Sequence, residues 1–454
     1  MLQTLRQRAF YQKTLHILIP VVLQQLITIG VNFLDNIMVG SFGETSISAA
    51  AFSNQFYGLF QFICMGMGSG AIVMSSQFWG RKETGPMRTV SAIALRVTVV
   101  CCAVFTLLSV LAPAAILRVF TSDEAIVRAG TPYLRLLGVT FLPAGLSSTA
   151  TYLLRSVGMV RVPLCSSIAA FFLNIFFNWV FIFGKLGAPA LGLVGAAVGT
   201  VIARAVEFLI VFGYFLFKDP CFGFRLRHFL LPGASLRRQY IKFSVPVLVS
   251  DTLLGLSLSL TSVILGHIGG EITAASAIVQ SAVQLISVLH MGMASASSVV
   301  IGNTIGEGAL ARARSEGASY VLLAFLSGLV LLVPLLLLED AYVGLYTITE
   351  ATRSITHGMV VCECCMLPIQ AVAYVTSKGI LRGGGDTRFL LFADSCMVWF
   401  VSLPLGALAG FVWHLAPVWI FFLLNVEFPL KGILCFIRFC TGRWVKVVRA
   451  GSGE

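Results

Sequence analysis

Apolar runs long enough to cross a bilayer recur along this chain, and no other feature limits its possible folds so tightly. A helix needs about 20 mostly apolar residues to span hydrocarbon. Twelve segments reach that length, at about 15–37, 50–75, 90–117, 130–154, 162–183, 191–217, 238–265, 272–300, 316–338, 355–381, 389–411 and 416–438. Lipid offers no partner to a free backbone N–H or C=O, so helices are the expected form. The short alternating segments of a membrane strand are missing. Charged residues make up only 11% of the chain, against about 25% in a soluble domain. The expected class is therefore an all-α polytopic membrane protein with twelve transmembrane helices.

Basic residues then orient the spans. With the N-terminus (Arg6, Arg8, Lys13) in the cytoplasm, most of the 31 Lys and Arg fall in even-numbered loops and the two termini. Among them are Arg81, Lys82 and Arg88, Arg312 and Arg314, Lys378, Arg382 and Arg388, and Arg443, Lys446 and Arg449. Such a bias places both termini in the cytoplasm. Topology and anionic lipid account for the net charge of +12, so nucleic acid need not be invoked. The N-terminal apolar stretch reads as a first span rather than a cleaved leader, being too long and without a small-residue cleavage site. Cys362, Cys364 and Cys365 form the one cysteine cluster. No His stands near it at ligand spacing, so packing is expected there and no metal.

The chain is duplicated. One register pairs Pro20 with Pro246, Gly40 with Gly266, Gly43 with Gly269, Met65 to Met67 with Met291 to Met293, and Gly80 with Gly306. A second block, LLRSVGMVR (153–161) against ILRGGGDTR (380–388), repeats with the register advanced by one residue. The expected organisation is a six-helix bundle over 1–217, a basic cytoplasmic linker over 218–240 and a second six-helix bundle over 241–454. Matched bundles suit a transporter with alternating access. A membrane-embedded enzyme would call for a centred constellation, and His16, His228, His267, His290, His357 and His414 are scattered.

Several polar residues stand within these spans. A carboxylate near the middle of a membrane helix costs about 2.5–3.5 kcal/mol on insertion scales and usually serves function. Asp35 is such a residue, and it shares a helix face with Gln25, Thr28 and Asn32. Asn54, Tyr57 and Gln61 repeat that spacing on the second span, and Asn174 and Asn178 lie one turn apart on the fifth. These stripes either line a water-filled cavity or bond helix to helix. In the second half Asp251, Gln280, Gln284 and Glu363 are further cavity candidates, and Thr261 stands where the repeat would put the counterpart of Asp35. Pro20 removes a backbone bond and so gives the first helix either a hinge or simply a tolerated first-turn proline. Arg382, Gly385, Asp386 and Arg388, echoed by Arg155 and Arg161, read either as an anchoring loop or as an ion pair that opens during transport.

The set of motifs resembles the MATE (multidrug and toxic compound extrusion) family, of the MOP-type fold. It comprises Pro20 with Asp35, Met38, Val39 and Gly40, then GMGSGAIVMSSQFWGRKE (66–83), NIFFNWVFIFG through GAPALGLVGAAVGT (174–200), and Leu381 to Arg388. The resemblance implies export of amphiphilic, often cationic organic compounds from a bacterial plasma membrane, driven by inward H⁺ or Na⁺. It implies no ATP, no cofactor beyond the coupling ion and a monomeric protein among lipids. In one branch of the family a cation site is built from a first-span Asp, an Asn and an Asp on the fifth span and a Thr on the sixth. The matching positions are Asp35, Asn174, Asn178 and Thr200. Asn178 replaces the second carboxylate, which leans the expectation toward H⁺. A lipid-linked precursor flippase of the same superfamily is the rival, and it would need several cations lining a cavity.

Overall fold

The computed structural model describes residues 7–449, and all regular structure among them is helical. In the first half, α1 (Arg8–Gly40), α2 (Glu44–Gly80) and α3 (Thr84–Leu111) are followed by a short α4 (Pro113–Phe120). Next come α5 (Glu124–Gly138), α6 (Phe141–Ser156), α7 (Arg161–Phe183) and α8 (Leu193–Phe217). In the second half, α9 (Ala234–Ile268), α10 (Gly270–Gly306) and α11 (Leu310–Leu337) precede the short α12 (Glu339–Val343) and α13 (Glu350–Tyr374). The rest is α14 (Thr387–Met397), α15 (Leu403–Phe411), α16 (Pro417–Leu424) and α17 (Glu427–Cys440). Eleven helical stretches among the described residues are long and apolar enough to cross a membrane, and α5 with α6, bent by 49°, makes a twelfth if taken as one span. Large apolar side chains such as Val330, Leu337, Phe172 and Phe400 are well exposed, as lipid-facing residues must be.

Helix boundaries repeat with the sequence. Glu44–Gly80 is matched by Gly270–Gly306, and Thr84–Leu111 by Leu310–Leu337, each start and end in the register that pairs Pro20 with Pro246. At 1.5 Å per residue a 37-residue helix is about 55 Å long, so α2 and α10 project well beyond a hydrocarbon core of about 30 Å. The halves differ beyond that, in the bend between α5 and α6, which α13 lacks, and in two stretches of the second half. The span begun by α13 continues as a π-helix over Val375–Leu381, and a second π stretch over Val398–Ser402 joins α14 to α15. A π turn closes its hydrogen bonds around one more residue than an α turn. The first π stretch lies near the end of the interval over which the repeat register advances by one residue.

Packing divides the described chain into two compact units. One joins Val245–Val448 to the described residues up to Ile19, and the other joins Pro20–Ser244 to Arg449. The divisions thus fall inside α1 and α9, next to Pro20 and Pro246, rather than in the loop between the halves. Within the first unit named, the Thr14 and Tyr320 hydroxyls lie 2.7 Å apart, holding the start of α1 on α11. The basic linker is ordered on its own half. Arg88 Nε donates to Phe222 O at 2.8 Å, Arg96 Nη2 donates to Leu231 O at 2.9 Å, and Leu226–Leu230 forms a 3₁₀ turn.

Small residues set how closely the helices approach. A Cβ added to Gly195 on α8 would overlap the Phe181 carbonyl of α7, whereas one added to Gly213 on the same helix meets nothing within 4 Å. Gly195→Ala is therefore expected to cost about 1–3 kcal/mol through overpacking and to lower the thermal midpoint of the purified protein. Gly213→Ala should leave the midpoint level or raise it, since alanine improves helix propensity by up to about 1 kcal/mol. Equal effects at the two positions in a thermal melt would refute close α7–α8 packing as the constraint.

Candidate functional site

The candidate site in the first half draws on three helices. Asp35 lies near the C-terminal end of α1, Asn174 and Asn178 occupy one face of α7, and Thr200 sits in the second turn of α8. The structure brings all four together. Asn178 Nδ2 donates to Asp35 Oδ1 at 2.5 Å and to Asn174 Oδ1 at 3.3 Å. Asn174 Nδ2 in turn donates to Thr200 Oγ1 at 3.5 Å, and that hydroxyl donates to Ala196 O at 3.0 Å. Both asparagines are buried, while Asp35 is half-buried. Every polar partner shown for the Asp35 carboxylate is electrically neutral. The nearby Arg204 and Glu207, three residues apart on one face of α8, pair with each other at 2.6 Å.

One acceptor in the site is left over. With both Asn178 amide hydrogens used, its Oδ1 is buried without a hydrogen-bond partner, an arrangement that costs about 1–3 kcal/mol. Gly199 on α8 creates the room for that oxygen, because a Cβ at Gly199 would collide with it.

The other cavity candidates lie apart in character. Gln61 Nε2 donates to the Tyr57 hydroxyl at 2.8 Å, and Thr28 Oγ1 donates to Gln24 O of its own helix at 3.0 Å. Gln25 is half-buried, and Asn32, Asn54, Gln280 and Gln284 are exposed. Asp251, expected to face an open cavity, is instead 2% exposed and closed in by cations. Lys378 Nζ is 2.6 Å from its Oδ1, and Arg382 Nη2 approaches both of its oxygens, at 3.2 and 3.3 Å. Lys378 Nζ also lies 3.2 Å from Asp394 Oδ2, while Lys431 Nζ is 2.7 Å from Asp394 Oδ1. Ser250 Oγ completes the group by donating to Asp394 Oδ2 at 2.7 Å. Glu363 is as deeply buried as Asp251, but it has Gln370 beside it and joins none of these ion pairs.

Two assignments from sequence need correcting. Lys378 and Lys431 counted with the cytoplasmic basic residues because Arg382, Arg388 and the basic C-terminus lie close by in the chain. Both sit inside apolar spans, Glu350–Leu381 and Pro417–Cys440, where the carboxylates neutralise them. Intramembrane charge in this half is therefore balanced rather than mainly acidic. Asp386, in the resembling loop, accepts from Arg438 Nε at 2.7 Å, and Gly385 turns there with φ +85°. Sequence reasoning also missed Gln24, which donates to Ser167 Oγ at 3.1 Å and accepts from Arg155 Nη2 at 3.0 Å. Its neighbour Gln25 has the spacing of three to Thr28 that links it to the polar stripe, whereas Gln24 stands about three full turns before Asp35.

Because Asn178 and Gly199 meet at one oxygen, their substitutions should not add. Gly199→Ala is expected to cost about 1–3 kcal/mol and to push the Asn178 amide off Asp35. In an Asn178→Ala background the same change should cost clearly less, since the colliding oxygen is gone. A double-mutant cycle by thermal unfolding checks this, and equal costs in both backgrounds would place the collision elsewhere.

Comparison with known proteins agrees with this geometry. The MatE family model matches twice, over residues 20–180 and 246–408, with starting points at the two prolines that the repeat pairs. The chain is 22% identical over 417 residues to an uncharacterized transporter, YisQ, of Bacillus subtilis, covering 91% of this chain and 90% of that one. It is 24% identical to the multidrug resistance protein MdtK of Yersinia pestis, covering 94% of each. It is also 24% identical to a probable multidrug resistance protein NorM of Synechocystis, covering 89% of each. Among solved structures, a MOP superfamily transporter from Pyrococcus furiosus superposes with a TM-score of 0.87 at 18% identity, covering 97% of both chains. A MATE crystallised in complex with MaL6 gives 0.86 at 19% identity, covering 97% of this chain and 98% of that one. Two family matches in tandem, one to each half of a chain built from membrane-spanning helices, establish that this protein belongs to the MATE family of membrane transporters.

Proposed function

We propose that the protein is a secondary active exporter of amphiphilic organic cations, driven by inward H⁺ or Na⁺ through Asp35. The hydrogen-bonded group Asp35–Asn178–Asn174–Thr200 carries this reading. It offers one carboxylate among neutral oxygens, and one formal negative charge suits one monovalent cation. Oxygen-only ligands suit hard cations, and the unpartnered Asn178 Oδ1 is an acceptor such an ion could satisfy. A proton on the carboxylate would neutralise the same charge. The names of the NorM and MdtK relatives support drug export, and their bacterial origin supports a plasma-membrane location. The bias of Lys and Arg toward the even-numbered loops supports cytoplasmic termini.

The mechanism follows from what neutralisation does. Ionised, Asp35 favours an arrangement in which it meets water or a cationic drug. Neutralised, it tolerates burial against α7. A ligand shifts such an equilibrium only by its difference in affinity for the two states, and exchange of ion for drug on one carboxylate supplies that difference. Pro20 interrupts the backbone bonding of α1, so that helix can bend next to the division between the packed units. Monomeric action needs no second chain, since Asp35, Asn174, Asn178 and Thr200 all come from one half of this one. A flippase for pyrophosphate-linked lipid is disfavoured, because Lys378, Arg382 and Lys431 are engaged by carboxylates and not presented to an anionic substrate.

Purified protein in liposomes preloaded with ethidium tests the reading, with a pH gradient or a Na⁺ gradient imposed separately. Dye flux should appear with one gradient and fall to the rate of empty liposomes in Asp35→Asn. Equal flux in wild type and Asp35→Asn would remove the carboxylate from coupling. Flux with neither gradient would count against export of organic cations of this kind.

A further inference from the structure

The two halves carry the same fold but treat their buried carboxylates differently. In the first half, the hydrogen-bond donor to Asp35 is the neutral Asn178 amide, and the nearby Arg204 cation is paired with Glu207. In the second, the Lys378 ammonium stands between two carboxylates on different helices, 2.6 Å from Asp251 on α9 and 3.2 Å from Asp394 on α14. Both carboxylates are almost fully buried, at 2% and 1% exposure. Two carboxylates bridged by one small cation of single charge, away from water, is the arrangement a bound monovalent ion would make. Here the cation is covalently attached.

We propose that Lys378 is a built-in counter-cation, filling in the second half the place where an exchangeable monovalent cation would otherwise bind. The inference builds on the coupling role given to Asp35 and adds that coupling is confined to the first half.

Three observations beyond the ion pairs support it. First, the repeat exchanges charge between equivalent positions. Gln25 corresponds to Asp251, and Asp35 to Thr261, so each half holds a carboxylate where the other is neutral. Arg155, the counterpart of Arg382, accordingly meets the amide of Gln24 where Arg382 meets a carboxylate. Second, the backbone is shaped to deliver this ammonium. Lys378 lies in the wider turn of the π stretch Val375–Leu381. Third, that turn is pressed against α10. A Cβ on Gly379 would collide with Ser297 and approach the Ala294 backbone at 2.9 Å, and one on Gly383 would reach the Ser298 backbone at 2.6 Å. Glycine at both positions lets the turn sit closely enough to fix where Lys378 emerges.

The neighbouring cations do not duplicate the role. Among the ion pairs shown for the described residues, Arg382 pairs with Asp251 and Lys431 with Asp394, whereas Lys378 pairs with both. Glu427 of α17 stands half-buried beside Lys431, Asp394 and Lys378, so the group holds three carboxylates against three cations. Removing the Lys378 charge leaves one carboxylate charge without a counter-charge, which is costly in a buried site. The cheapest remedy is a cation from solution.

The test uses full-length protein in detergent. Bound radioactive sodium is counted, and protonated buried carboxyls are followed by their infrared band. Relative to wild type, Lys378→Met should gain one sodium ion or one protonated carboxyl per chain, and Lys378→Arg should gain neither. A folded Lys378→Met that gains neither would overturn the proposal, showing that Arg382 and Lys431 suffice. A second measurement does not depend on how Lys378→Met folds. Sodium binding or pH-dependent carboxyl protonation that Asp35→Asn abolishes entirely is expected, and a residual component that Asp251→Asn then removes would overturn the proposal as well. Failure of the coupling reading is distinguishable, because flux surviving in Asp35→Asn would leave the ion count at Lys378 unchanged.

Discussion

A charged group inside a membrane-spanning bundle must be neutralised, and the way this chain meets that demand organises most of what is particular to it. Two solutions are available. A carboxylate can be surrounded by neutral donors, in which case its charge remains to be cancelled by something that comes and goes. Alternatively it can be given a permanent cation from the same chain. The first half uses the former at Asp35, with Asn178 as donor. The second uses the latter, with Lys378, Arg382 and Lys431 around Asp251 and Asp394. Four helices, α9, α13 with its π turn, α14 and α17, are tied together by that choice.

Duplication makes the contrast meaningful. The two halves place α2 and α10, and α3 and α11, as helices of equal length at equivalent positions, so a difference in charge between equivalent residues can be compared directly. Buried ion pairs are weak evidence for stability, because the cost of desolvation can exceed the attraction. They do specify geometry, since each cation reaches its carboxylate only from one direction. The second half is thus held in a defined arrangement by charges, while the first half keeps a carboxylate whose partners impose no net charge of their own.

Helix count, order and duplication were legible in the sequence because lipid leaves a backbone few options and because a Gly–Pro pattern in one register is hard to produce by chance. The group around Asp35 was legible through resemblance, and its spacing on α7 agreed. What was not legible depended on which residues meet across helices. Lys378 looked like a loop charge because it stands near the end of an apolar run, and charge alone does not tell a residue at the membrane surface from one buried against a carboxylate. The one-residue slip in the repeat was visible, but the π stretches could be seen only in the backbone. Gln24 was overlooked because its partners, on α6 and α7, are not signalled by the polar stripe of its own helix.

The division of the packed units inside α1 and α9 has a mechanical consequence for the charge arrangement. Both helices pass from one unit to the other at a proline that the repeat conserves between halves, Pro20 and Pro246. In α1, Asp35 lies on the far side of that proline from the segment that packs with Tyr320. In α9, Asp251 lies just past its proline, within the same unit as Lys378 and Asp394. Immediately beyond Pro246 the ions around Asp251 hold α9 to α13 and α14, and immediately beyond Pro20 the Gln24 amide ties α1 to Ser167 of α7 and Arg155 of α6. Equivalent helices with equivalent prolines are thus held by a carboxylate with its cations in one half and by a neutral amide in the other. The half held by the amide is the one whose carboxylate, Asp35, has a neutral donor.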